Sequence, residues 1–311
     1  MATSGGTKAV VAALLANSGI AVAKFIGFGV TRSSSMLAES IHSVADAANQ
    51  VLLLVGGRRA RRDADEQHQF GYGRERYFWA FVVAIVLFLL GGVFAVYEGI
   101  QKLLHPHDLE SPGWAIGILL AAIVMETFSF RTAIIEARPL KGRQSWLTFI
   151  RKTKNPELPV VLLEDLGAMV GLIIALAAVV ATVVTGDADY DGIGTIAIGA
   201  LLIVIAVVLA REMKSLLIGE AASPEHVAAM TRAIETTSSV RRLINIRTEH
   251  IAPEELLVAA KVEFVHELTV PQLSDAINDV EQRIRAAVPM ASRLFIEPDI
   301  HRAAGAEPAT T

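Results

Sequence analysis

Long apolar runs dominate the first two thirds of this chain, and a mixed polar and apolar pattern takes over after Leu217. Six runs, near Val10–Val30, Ser35–Val55, Tyr77–Leu103, Pro112–Ala137, Pro159–Thr185 and Ile193–Leu217, are long enough for helices crossing roughly 30 Å of hydrocarbon. The first two are the least uniform: Asn17 and Lys24 interrupt one, and Glu39, His42 and Asp46 interrupt the other. Their remaining positions are apolar nearly all round, so neither reads as a soluble amphipathic helix. Beyond Leu217 the periods shorten. Ser223-Pro224-Glu225 has the marks of a helix start, with proline at the first helical position and an acid in the first turn. Residues Val258–Phe264 alternate as a strand with one wet face, Leu273, Ile277, Val280 and Ile284 recur at helical spacing, and Arg293–Glu297 is a short final strand.

The pattern predicts a membrane all-α bundle of six helices over residues 1–220, followed by an α+β domain over 221–302. Its order α-β-β-α-β suits a small, ferredoxin-like layer. At roughly 80 residues such a layer is short of core and would gain from pairing. The Ala/Pro/Thr-rich tail over 303–311 reads as disordered. No tandem repeat at periods of 20–50 residues is evident.

Composition sharpens this picture. Of 311 residues, 53% are hydrophobic and 19% charged, with a mean hydropathy of +0.48. Soluble domains sit near 45–50% apolar and about 25% charged. A formal charge of −4 argues against a nucleic-acid partner, and the absence of cysteine leaves only His and carboxylates to hold a metal. No basic leader with a small-residue cleavage site precedes the first run, so no removable signal peptide is expected.

Charge in the connections predicts orientation. Arg58, Arg59, Arg61, Arg62, Arg74 and Arg76 crowd the second connection, and Arg138, Lys141, Arg143, Arg151, Lys152 and Lys154 the fourth. The alternate connections are poor in cations, and Gly186–Gly192 is acidic. The positive-inside rule then puts both termini in the cytoplasm, or its organellar equivalent, of a multi-pass protein in a bacterial inner membrane or similar bilayer.

Ionisable groups inside a span are costly and face a cavity or a partner. Glu39, His42 and Asp46, at offsets of three, four and seven, share one helix face. An imidazole and a carboxylate four residues apart can ligate one cation, Zn²⁺ or a neighbouring transition metal. The alternative is a buried His–Asp pair that ties two helices together. The fifth span opens with Glu164-Asp165, of which the deeper Asp165 is the preferred ligand. Glu164 is then an outer acceptor, a proton carrier or a ligand from an adjoining face, unless one of the two pairs with Lys24. Glu126 in the fourth span joins the ion path or bonds a Ser or Thr across helices. The histidines outside the spans (His68, His105, His107, His226, His250, His266 and His301) are scattered. Of the later positions, His250, Glu297 and Asp299 would hold a metal if they converged.

Three motifs carry a resemblance. Ser33-Ser34-Ser35-Met36-Leu37-Ala38-Glu39-Ser40-Ile41-His42-Ser43-Val44-Ala45-Asp46 resembles the second-helix signature of the cation diffusion facilitator family. His68-Gln69-Phe70-Gly71-Tyr72-Gly73-Arg74 resembles that family's entry to its third helix, and Asp165 resembles its fifth-helix aspartate. The likeness runs from about Lys8 to Arg302, and Ser40–Ser43 with Leu162–Asp165 resembles the mitochondrial-type zinc transporter branch. It implies an exporter of divalent transition metal, most often Zn²⁺, exchanged for protons by a homodimer, and not an enzyme. It also implies that His42, Asp46 and Asp165 are ligands. The family's usual His or Asp four residues before Asp165 is Val161 here, so Glu164, Glu39, water or a backbone carbonyl would complete the set. Tyr72, Lys261 and Glu297 stand where ligand histidines can lie, which implies reduced metal sites outside the membrane. The competing readings are a carrier for Mn²⁺, Fe²⁺ or Co²⁺, and a membrane-anchored metal sensor. An intramembrane hydrolase would need a His-Glu-x-x-His arrangement that the chain lacks.

Overall fold

A computed structural model describes residues 4–106 and 111–301, and both His107 and the tail 303–311 lie outside them. The chain divides into two compact units. One joins the residues up to Ala64 with Glu75–Leu217, and the other joins Asp65–Arg74 with the chain from Ile218.

The first unit is helical: α1 (Ser4–Thr31), α2 (Ser34–Arg59), α3 (Glu75–Leu104), α4 (Pro112–Lys141), a short α5 (Trp146–Lys152), α6 (Glu157–Thr185) and α7 (Asp189–Ile218). Four of these, α3, α4, α6 and α7, are each long and apolar enough to cross a membrane, with mean hydropathies of 2.7, 1.8, 2.6 and 2.9. Among the described residues α1 contributes a shorter apolar stretch, Ser18–Thr31. Large apolar side chains face outward all along the bundle, among them Leu89, Phe128, Ile173, Val184 and Val204. Such a surface is expensive in water and natural against hydrocarbon. Inside, Met36, Leu119, Leu172, Ile198, Leu202 and Leu209 form one continuous core.

The polar helix α2 packs against α1, α3 and α6, which places its charged face among neighbours rather than against lipid. Its N-terminus is closed twice. Ser33 caps it by accepting from the Met36 amide, and Asp191 from the start of α7 accepts from the Ser34 amide at 2.8 Å and the Ser33 hydroxyl at 2.9 Å. A carboxylate there satisfies orphan donors and complements the positive end of the helix. Asp191 reads as part of an acidic connection in the sequence, yet the structure buries it completely.

Helices α3 and α7 meet backbone to backbone. A Cβ added at Gly99 would lie 2.8 Å from the Gly192 carbonyl oxygen, and one at Gly199 would lie 2.8 Å from that of Gly92. Small residues at this spacing let helices approach where apolar solvent supplies no hydrophobic drive. The same stretch of α3 widens into a π-helical turn over Leu87–Val93.

The second unit contains α8 (Pro224–Glu235), β1 (Val240–Ala252), β2 (Glu255–Phe264), α9 (Val270–Ala287) and β3 (Ala291–Pro298). The element order matches the sequence pattern. The sheet is mixed, in the order β1-β2-β3: β1 and β2 form an antiparallel hairpin, and α9 carries the crossover to β3, which runs parallel to β2. Met230, Ile234, Val258, Val262, Val280 and Ile284 form its core.

The segment Asp65–Arg74 is tied into this unit. Arg74 pairs with Glu249, Phe70 meets Phe295 edge to face at 6.4 Å, and Gly73 lies so close to Ala252 that a side chain there would collide. Asp65 organises the turn, accepting from the Tyr72 hydroxyl at 2.5 Å and from the His68 and Gln67 amides at 2.8 and 3.0 Å. The Tyr72 hydrogen bond, more than any other contact, holds the Asp65 carboxyl below its ordinary 3.8.

Two predictions follow from these contacts. Gly199→Leu, which forces side-chain atoms onto the Gly92 carbonyl, is expected to cost about 1–3 kcal/mol and lower the melting temperature in detergent. Gly117→Ala, whose added methyl meets nothing within 4 Å, is the neutral or stabilising control. Because the folded Asp65 carboxyl titrates lower than the unfolded one, its stabilisation of the turn is complete above the ordinary aspartate range. It is lost as pH falls through the depressed value. Tyr72→Phe should narrow that acid dependence and speed hydrogen exchange at Gln67 and His68; unchanged exchange would refute the role given to Tyr72.

Candidate metal centre

The charged face of α2 continues further than the sequence motif indicates. Glu39, His42, Asp46 and Asn49 recur at helical spacing, and all but Asp46, which is 13% exposed, are fully buried. His42 Nδ1 lies 3.7 Å from Asp46 Oδ1. Among the described residues neither ring nitrogen of His42 has a hydrogen-bond partner, and the same is true of Asp46 Oδ1. Buried polar atoms are nearly always satisfied, so three orphans on adjacent turns mark a place prepared for something else. The π-helical turn of α3 borders it, with Gly91 presenting bare backbone beside the imidazole: a Cβ there would lie 3.8 Å from His42 Nδ1. Single π turns inside α-helices recur at functional sites.

Each neighbouring helix adds charge. Lys24 of α1 is 1% exposed, lies 3.2 Å from Glu39 Oε2 and donates to the Ser43 hydroxyl at 2.8 Å. It therefore pairs with Glu39 rather than with either acid of the fifth span. Asp165 of α6 accepts from Ser129 of α4 at 3.2 Å, and Glu164 accepts from the Asn49 amide of α2. Asp165 lies within Coulombic reach of Asp46 and Glu126, and Glu164 within reach of Asp46 and Asp165. The packing of α2 on α6 and of α4 on α6 gathers these groups into one buried polar seam.

The seam is gathered but not drawn to a point. Among the described residues, no three His, Asp or Glu side chains converge tightly enough to hold one ion. His42 and Asp46 lie side by side on α2, whereas Asp165 faces the same seam from Ser129. Carboxylates brought to a common point repel one another unless a cation lies between them. Val161, at the position where the resemblance expects another ligand, packs instead against the small apolar cluster of Ala133, Ala137, Phe149 and Leu162.

In the second unit the expected trio does not form. Lys261 Nζ lies 2.9 Å from Glu297 Oε1 and 3.3 Å from Asp299 Oδ2, and the Glu297 hydrogen bond above all raises the lysine's pKa. An ammonium thus engages both acids. His250 stands opposite Leu256, five positions along β2 from Lys261, or about 16 Å at strand rise. At the turn, His68 lies 3.5 Å from Asp65 and stacks on Tyr72 with ring centroids 4.4 Å apart.

Sequence reasoning missed Asn49, Gln50 and Ser129. Among the described residues the side-chain oxygens Asn49 Oδ1 and Gln50 Oε1 are buried without hydrogen-bond partners. Extending the offsets of Glu39, His42 and Asp46 by one more turn would have found Asn49. Ser129 has no signal of its own, because an isolated serine in an apolar helix is common.

Residues 10–218 match the model of the cation efflux transmembrane domain. The chain is 32% identical over 263 residues to the mitochondrial proton-coupled zinc antiporter SLC30A9 of Mus musculus, covering 84% of this chain and 46% of that protein. Metal tolerance protein C4 of Arabidopsis thaliana is 31% identical, with 85% of this chain and 58% of its own length covered. The zinc transporter ZitB of Pectobacterium atrosepticum is 26% identical, with coverages of 80% and 72%. The chain spans about half the length of the SLC30A9 relatives it matches. Its extended match to the transmembrane domain and its long apolar helices make it an integral membrane protein, and it belongs to the cation efflux family.

Proposed function

We propose that this protein exports a divalent transition metal, Zn²⁺ in the first place, in exchange for protons by alternating access, with His42, Asp46 and Asp165 as the cargo ligands. The observation that carries this reading is the buried His42–Asp46 pair, whose two ring nitrogens and Asp46 Oδ1 have no hydrogen-bond partner among the described residues. A pair serving only to tie helices would bond across to a neighbour. Among the described residues His42 makes no such bond, whereas Lys24–Glu39, Asn49–Glu164 and Ser129–Asp165 all do. An imidazole with two carboxylates is a donor set suited to zinc, and the relatives named for zinc support that choice over manganese, iron or cobalt.

The same donors bind protons or metal but not both. Taking up M²⁺ releases protons, and releasing it to the other side lets protons return on the empty ligands. Antiport then needs no separate proton path. In this reading Glu164, which accepts from the Asn49 amide, completes the coordination or relays those protons.

In this reading α1 and α2 also cross the bilayer, for six spans in all. Their lengths of 28 and 26 residues support it, as does the covering of α2's polar face by its neighbours. The arginine-rich connections put both termini on the cytoplasmic side. The second unit, whose α-β-β-α-β order supports reading it as a reduced ferredoxin-like layer, serves chiefly in a homodimer, since Lys261 engages the acids that would otherwise bind metal there.

His42→Ala, Asp46→Ala and Asp165→Ala are each expected to lower Zn²⁺-driven proton movement in proteoliposomes by about 100-fold or more, because each removes a ligand. The folded protein should still elute normally from a sizing column. Wild-type flux in any of the three would remove that residue from the cargo site.

A further inference from the structure

The buried lysine of α1 has no role in the exchange as proposed. Lys24 Nζ sits 3.2 Å from Glu39 Oε2 and 2.8 Å from Ser43 Oγ, so it brackets His42 from one turn before to one residue after. Its charge reaches His42, Asp46 and Glu126. The other Glu39 oxygen, Oε1, has no hydrogen-bond partner among the described residues and lies against the bare backbone of α6, where a Cβ on Gly171 would come within 2.6 Å of it. Glu39 is thus clamped between an ammonium on α1 and a glycine on α6, although its helical offset from His42 and Asp46 would let it turn toward the same ion.

We infer that Lys24 is a specificity-determining positioning residue: by holding Glu39 as its counter-ion, it keeps a hard carboxylate out of the cargo site and preserves a nitrogen-containing set of few ligands. This rests on the proposed cargo site at His42 and Asp46. The chemistry is that of ligand number and softness. Zn²⁺ is content with four donors including imidazole, whereas Mn²⁺ favours more oxygen donors. A buried carboxylate stripped of its cation takes up a proton or another cation. In this seam the next cation available is the cargo, one helical turn away. Freeing Glu39 therefore adds an oxygen ligand and makes the site more hospitable to Mn²⁺. Gly171 belongs to the same device, since a side chain there would push Glu39 out of its seat.

The test compares initial Zn²⁺ and Mn²⁺ fluxes in proteoliposomes of the full chain. Lys24→Gln should lower the zinc-to-manganese ratio by about ten-fold or more, chiefly by raising Mn²⁺ flux, the size of effect expected for an outer partner of a metal site. Lys24→Arg, which keeps the charge, should hold the ratio within about two-fold of wild type, well inside that range. Lys24→Gln combined with Glu39→Gln removes the pair without leaving a buried charge and should restore the wild-type ratio. A merely structural role for Lys24 would change the amount of folded protein and leave the ratio alone. An unmoved ratio in Lys24→Gln overturns the inference. So does a double variant that loses Zn²⁺ flux as His42→Ala does, because Glu39 would then be a cargo ligand. If Lys24→Gln does not insert, the double variant and Lys24→Arg decide by the same criteria. Zn²⁺ flux that survives His42→Ala strikes instead at the cargo site itself and takes this inference with it.

Discussion

A charged side chain in hydrocarbon persists only if another group answers it, and the Lys24–Glu39 ion pair is where this bundle meets that condition most directly. Both residues are essentially inaccessible, so the pair is worth keeping intact: removing one partner of a buried pair costs about 3–5 kcal/mol, because the survivor is left uncompensated. The pair joins α1 to α2. It commits the polar face of α2 inward, and every other polar contact of the seam depends on that choice of face.

Three attachments then hold α2 along its length. Asp191 closes its N-terminus from α7, Lys24 grips its second turn from α1, and Asn49 reaches Glu164 on α6 further along. Between the last two lie His42 and Asp46, whose imidazole nitrogens and Oδ1 have no hydrogen-bond partners among the described residues. Anchored residues on both sides of His42 and Asp46 are the arrangement expected where rigidity must be delivered to ligands that exchange what they hold. The glycine contact between α3 and α7 contributes from the opposite wall, bringing the π-helical turn of α3 and its bare Gly91 up to His42.

The second unit answers the same electrostatic question with its own side chains. Lys261 engages Glu297 and Asp299, and Tyr72 and Asp65 close a turn beside His68. These contacts are exposed, so each contributes little to stability alone. Their consequence is local order.

Much of this was legible in the chain alone. Apolar run length determined the long helices, because a helix in hydrocarbon must satisfy its own backbone and so advertises itself by composition. The α-β-β-α-β order followed from hydrophobic periods, and the shared face of Glu39, His42 and Asp46 from helical offsets. Which neighbour each charge would meet could not be read that way. Lys24 could have paired with Glu164 or Asp165, Asp191 could have stayed in solvent, and Asp165 could have met His42 rather than Ser129. Periodicity places a side chain on a face of its own helix, whereas its partner depends on how helices distant in sequence rotate and cross. That rotation was decided by packing: glycines set the approach of α3 to α7, and one buried ion pair set the approach of α1 to α2.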